Sequence, residues 1–293
     1  MNLALTVLNV TAPVFLLAAV GFVWVKLGFE YRVQFVTRLA MTVSVPCLIF
    51  VALMETQIAP QALAALSLAA LVAYVLVALV TFVLVKAARL DARTYLAPLI
   101  FGNTGNLGLP LALFAFGELG LGYAVVVFAV MAMLSFTIGI WMVAGAGSFG
   151  KVISEPLVWA TLLGALFLWQ GWQTPVFLTN TIDLIGQMAI PMMLITLGVA
   201  VARLETSAMS QAVLLSLAKL VICVGAGWAT ALWFGLDPVA SAVLILQVAT
   251  PVAVTSYLIA EKYGADAGPV AGLVVASTLL SVVALPVILA FVM

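Results

Sequence analysis

Charged or Gly/Pro-rich punctuation cuts this chain into long apolar runs near residues 6–27, 34–54, 61–85, 93–117, 120–145, 155–171, 176–200, 209–234, 239–260 and 267–292. A helix needs roughly 20 apolar residues to cross the hydrocarbon core of a bilayer. The pattern therefore predicts an all-α membrane protein of ten spanning helices, the short sixth being tilted or partly interfacial. The first run begins almost at Met1 without a basic leader, and reads as a retained span rather than a cleavable signal peptide.

Composition agrees. Hydrophobic residues make up 67% of the 293 and charged residues 7%, against roughly 25% charged in a soluble domain. A bilayer, not water, is the expected partner of such a surface, and no nucleic acid is expected. What carries information is where the few charges lie. Lys26, Arg32 and Arg38 flank the first connection, Lys86, Arg89 and Arg93 the third, Lys151 the fifth, Arg203 the seventh and Lys262 the ninth. The even-numbered connections hold no Lys or Arg. Short basic loops stay cytoplasmic, so both termini are expected outside, in a multi-pass inner-membrane protein.

Cut after the fifth run, the chain aligns with itself. Pro13, Gly21 and Gly28 are followed 143 residues later by Pro156, Gly164 and Gly171; Pro46 answers Pro191, Asp91 answers Asp237, and Pro110 answers Pro251. Residues 1–145 and 146–293 are thus expected to be two five-helix repeats. Five is odd, so the second repeat would enter the membrane from the opposite side, the inverted-repeat plan of secondary transporters.

The fourth run contains Gly102-Asn103-Thr104-Gly105-Asn106-Leu107-Gly108-Leu109-Pro110 at its centre. Glycine costs about 1 kcal/mol and proline about 3 kcal/mol in a helix interior relative to alanine. This segment is expected to unwind at Gly105, Gly108 and Pro110, and the ninth run to do so at Pro251. Unwound backbone in a membrane must be buried in protein or line a watery cavity. Two crossed, broken helices would aim positive half-helix N-termini at one place, an anion site. Asn103, Thr104, Asn106, Gln247 and Thr250 would supply neutral donors and acceptors for a carboxylate there.

These residues resemble the auxin efflux carrier family, which includes plant PIN proteins and bacterial malonate and malate carriers. The likeness rests on the Gly102–Pro110 motif and, more weakly, on Thr250-Pro251-Val252-Ala253-Val254 with Tyr257 and Tyr263-Gly264. It implies a fold shared with bile-acid sodium symporters, with a scaffold (6–54 plus 155–200) and a moving crossover domain (61–145 plus 209–292). It also implies a homodimer and an organic anion carried at the crossing in an elevator-like movement. Relatives often carry an Asn shortly after the ninth-span proline, where this chain has Thr255-Ser256.

Lys219 lies about ten residues into its run, near mid-bilayer, where it would attract the anion or stand in for a coupling cation. Asp91 and Asp237 are expected as helix caps, and Asp183 in a first helical turn after a Thr179-Asn180-Thr181 cap. Glu55, Glu118 and Glu261 are expected at solvated span ends. There is no histidine, and Cys47 and Cys223 sit in apolar runs as small hydrophobes. With neither a midplane acid pair nor a nucleophile–base pair, an enzyme is not expected. No cofactor or firm metal site is expected either, although sodium could use Asn103, Asn106 and Gln247. The sequence leaves sodium coupling, proton coupling and uniport open, as it does a sodium symporter of bulkier amphipathic anions or, less favoured, a channel or receptor.

Overall fold

The computed structural model describes residues 3–56, 58–144, 156–203 and 209–292, and every regular element among them is helical. Lys151 and the expected repeat boundary at 145/146 lie outside the described residues. Helix α1 spans Leu3–Lys26. The second run is α2 (Val33–Leu39) and α3 (Val45–Met54), joined by a π-helical turn at Ala40–Ser44. The third is α4 (Pro60–Ala87).

The fourth run is broken. Helix α5 (Ala92–Ile100) ends at Phe101, and the chain resumes as a π turn at Thr104–Gly108 leading into α6 (Leu109–Leu134). Inside α6 the backbone swings out of helical geometry at Gly117 (φ 64°, ψ −155°), a conformation that strongly favours glycine. A second π turn leads to α7 (Ile140–Ala144). Then follow α8 (Pro156–Gln170), α9 (Val176–Gln187), α10 (Ala189–Arg203) and α11 (Met209–Phe234). The ninth run is again split, into α12 (Pro238–Val248) and α13 (Val254–Tyr263), before α14 (Ala267–Val292).

Seven of these stretches are long and apolar enough to cross a bilayer unaided. The difference from ten has a physical origin. The stretch Thr104–Ala144 counts once although Gly117 interrupts it, and Pro156–Gln170 and Pro238–Val248 are apolar but short. The prolines shape the chain less directly than their positions suggest. Pro46 and Pro110 each follow a π turn by two residues. A proline ring collides with the carbonyl four residues back and lacks an N–H to bond it, here the carbonyls of Thr42 and Asn106, and widening the turn accommodates this. Pro110 therefore lies within continuing helix, and the break stands seven residues before it.

Helix α1 packs along α10, and α3 against α8 and α9. Added Cβ atoms at Gly21 and Gly198 would collide with backbone of the facing helix, so these glycines permit the close α1–α10 approach. A second group forms around α11, which packs on α4, α12 and α14, while α12 also packs on α6. The expected caps are present. Asp91 accepts from Thr94 N–H at 2.9 Å, and Asp237 from Val239 and Ala240 N–H at 3.0 Å. Asp183 differs from expectation. Helix α9 already starts after Pro175, so Asp183 is mid-helix and accepts a bond from Gln187 at 2.6 Å.

Candidate functional site: the crossing of two broken helices

Both breaks meet. Gly102 and Val252 form an antiparallel bridge, and Asn103 N–H donates to the Pro251 carbonyl at 2.7 Å. Val252 N–H donates to the Ser277 hydroxyl of α14 at 2.9 Å. The two strands of unwound backbone thus satisfy each other and a neighbouring helix, which is what a low-dielectric interior demands. Proximity depends on glycine. A Cβ on Gly102 would collide with Thr250, and one on Gly108 with the Gln247 side chain. The bridge pairs Gly102 with Val252, so the two backbones cross there and not at the two prolines. Pro251 sits at the crossing and Pro110 does not.

The candidate residues separate into two sets. Asn103, Thr104, Gln247, Thr250 and Lys219 are enclosed inside the α11-centred group, each no more than 5% exposed. Thr250 donates to Gln247 O at 2.7 Å and Gln247 Nε2 to Ala124 O at 3.4 Å. Asn103 Nδ2, Thr104 Oγ1 and Gln247 Oε1 are buried without a partner, a state that costs free energy comparable to a lost hydrogen bond and calls for an occupant. Lys219 donates to Leu99 O, in the last turn of α5, at 3.1 Å. Its charge therefore meets the negative end of a half-helix dipole.

Asn106 faces elsewhere. It lines a narrow cleft together with Thr255 and Val254 of α13, Thr37 and Met41 of the second run, and Met193 and Thr196 of α10. This cleft lies between the α1–α10 side and the crossing. On it converge two helix starts, the turn beginning at Thr104 and α13 beginning at Val254, each bearing about half a positive charge and unbonded N–H groups. Thr196 is tied by a 2.7 Å bond to Tyr31, whose phenol is pushed above its usual range chiefly by burial. Thr37 and Thr196 are absent from the residues singled out in the sequence, where Thr255 stands only as the place at which relatives carry an Asn. Threonines in apolar helices commonly bond their own backbone, as Thr196 also does to Met192, so nothing local marked them.

A larger vestibule of about 800 Å³ opens between α3, α6, α9 and α10 and is lined by Glu55, Glu118 and Asp183 among others. At the opposite end of α5, Arg93 donates to the terminal carbonyls of two other elements, Val143 O at 3.0 Å and Tyr263 O at 3.2 Å.

A broken-helix crossing with unpaired polar atoms, set in an all-helical bundle that is apolar on its outside, is an arrangement that membrane transporters use. The chain belongs to the membrane transport protein family, whose pattern matches residues 6–152 and 148–289, the family of auxin efflux carriers and PIN-like proteins. It is also 29% identical over 194 residues to an uncharacterized transporter of Methanothermobacter thermautotrophicus, a match that spans 63% of this chain and 63% of that protein.

Proposed function

We propose that this protein is a secondary transporter of small organic carboxylate anions working by alternating access. The observation that carries the reading is the convergence of two half-helix starts, with Asn106 and Thr255, on a cleft between two packed groups of helices. Two such starts supply about one positive charge without a fixed cation, so the site can load and empty.

In this reading α1–α3 and α8–α10 form a scaffold, and α4–α7 with α11–α14 form the moving body as two inverted repeats of ten spans in all. The crossing rides with the moving body. Elevator-like movement, assembly as a homodimer, an inner-membrane location and termini on the outer side belong to the same proposal. The basic connections support the orientation. Thr104 Oγ1 and Gln247 Oε1, two buried oxygens without partners, favour coupling to a cation such as sodium. Lys219 stands behind the crossing rather than in the cleft.

Counterflow of a labelled carboxylate in proteoliposomes tests the reading, with and without a sodium gradient. Asn106→Ala is expected to reduce counterflow at least about tenfold, the loss of one hydrogen bond to a charged group, without lowering thermal stability. Unchanged counterflow would reject the cleft as the site.

A further inference from the structure

We infer that a single monovalent anion of chloride size binds behind the crossing, against the ammonium of Lys219. This inference concerns a different pocket from the cleft and does not depend on what the cleft carries.

Lys219 is 3% exposed in the middle of α11. An ammonium has three N–H donors. One reaches Leu99 O at 3.1 Å and another lies 3.8 Å from Cys223 Sγ, a weak acceptor. The third has no protein partner among the described residues, and no carboxylate among them lies within ion-pair distance of Lys219. The α5 dipole answers about half a unit of charge, which leaves the rest uncompensated in a medium where an unpaired ion is strongly disfavoured.

Beside the ammonium lies a small, half-open pocket lined by Ser216, Lys219, Thr250, Ser277 and Ser281. Its hydroxyls divide sharply. Ser281 donates to Thr278 O at 2.6 Å, Thr250 to Gln247 O at 2.7 Å, and Ser277 to Val274 O at 3.4 Å. Ser216 Oγ, by contrast, is 2% exposed and has no partner at all. The pocket therefore holds two uncommitted donors, one of them charged. Its enclosed part has room for about one water-sized body. That excludes an organic carboxylate and admits a halide. Water would occupy Ser216 but leave the charge; an anion accepts from both donors and offsets it.

The test is thermal unfolding of the purified, substrate-free protein, followed by tryptophan fluorescence while chloride replaces gluconate at constant ionic strength. A saturable rise in Tm with chloride, and with bromide, is expected. Lys219→Met is expected to abolish the dependence, and Ser216→Ala to weaken the apparent affinity by about tenfold. Should Lys219→Met fail to fold, the Ser216→Ala titration and anomalous diffraction from bromide-soaked crystals decide. A bromide within hydrogen-bond distance of Lys219 Nζ supports the site. Equal stability in chloride and gluconate, or bromide bound only elsewhere, overturns it and makes the occupant water.

Discussion

Replacing Gly102 with alanine places a methyl group inside the crossing itself. A Cβ there would stand 2.9 Å from the Thr250 carbonyl oxygen and closer still to the Thr250 hydroxyl. Neither has an easy retreat. The carbonyl belongs to backbone leading into Pro251, and the hydroxyl is held by its 2.7 Å bond to Gln247 O. Overpacking of this kind costs about 1–3 kcal/mol, and the smaller freedom of an unfolded alanine offsets about 0.4–1 kcal/mol of it. The net expectation is a destabilisation of about 1–2 kcal/mol, a factor of about 5–30 in the population of the crossed arrangement. Gly225→Ala is the matched control. Gly225 lies in the interior of α11 with nothing within 4 Å of an added Cβ, so alanine there should stabilise by about 0.5–1 kcal/mol. Thermal unfolding in detergent and counterflow in proteoliposomes, measured side by side, are expected to show Gly102→Ala less stable and transport-deficient. If Gly102→Ala matched wild type in both, the two backbones could not approach as closely as described, and the anion cleft they shape would lose its basis.

The first turn of α5 offers two further tests. Arg93→Ala removes donors to Val143 O and Tyr263 O and should lower stability by about 1–2 kcal/mol, charged donors being worth more than neutral ones; an unchanged Tm would mean that water already satisfies both carbonyls. The Asp91 carboxyl is held below the usual carboxylate range, first by the Thr94 hydroxyl at 2.6 Å and then by backbone N–H groups. Its stabilising contribution is thus full above the unfolded value of about 3.9 and is lost as pH falls through the lower folded value. The Tm gap between wild type and Asp91→Asn should accordingly shrink below about pH 4, and a gap that stays constant through that range would exclude the cap as its source.

Some of the site was legible because its physical causes are local. The Gly102–Pro110 segment resists helix formation by composition alone, and a break does occur at its start, at Phe101–Asn103, while Gly105, Gly108 and Pro110 lie in helical turns. The caps at Asp91 and Asp237 follow from residue type and position. The register of the two breaks was not legible. Proline is conspicuous in sequence, but Pro110 only widens a turn, while the bridge between Gly102 and Val252 is set by which backbone groups find partners across the crossing. Nor could the sequence show Asn103 and Asn106, three residues apart, facing different spaces. Asn103 ends the extended break and is enclosed with Gln247 and Thr250, whereas Asn106 lies in the resumed turn and looks toward α10.

By itself, the order of residues determined that the chain is helical and lipid-facing, that Asp91 and Asp237 cap helices, and which two of the runs fail midway. Hydrocarbon length, backbone propensity and the sparse placement of charge act over a few residues to a single span, and can be read along a line. Only the tertiary structure decided which polar atoms are left over once backbone groups have paired across distant segments. Lys219 found a carbonyl 120 positions away in sequence, while Ser216 and Thr104 found none. Such leftovers depend on three-dimensional approach, and it is on them that the proposed chemistry rests.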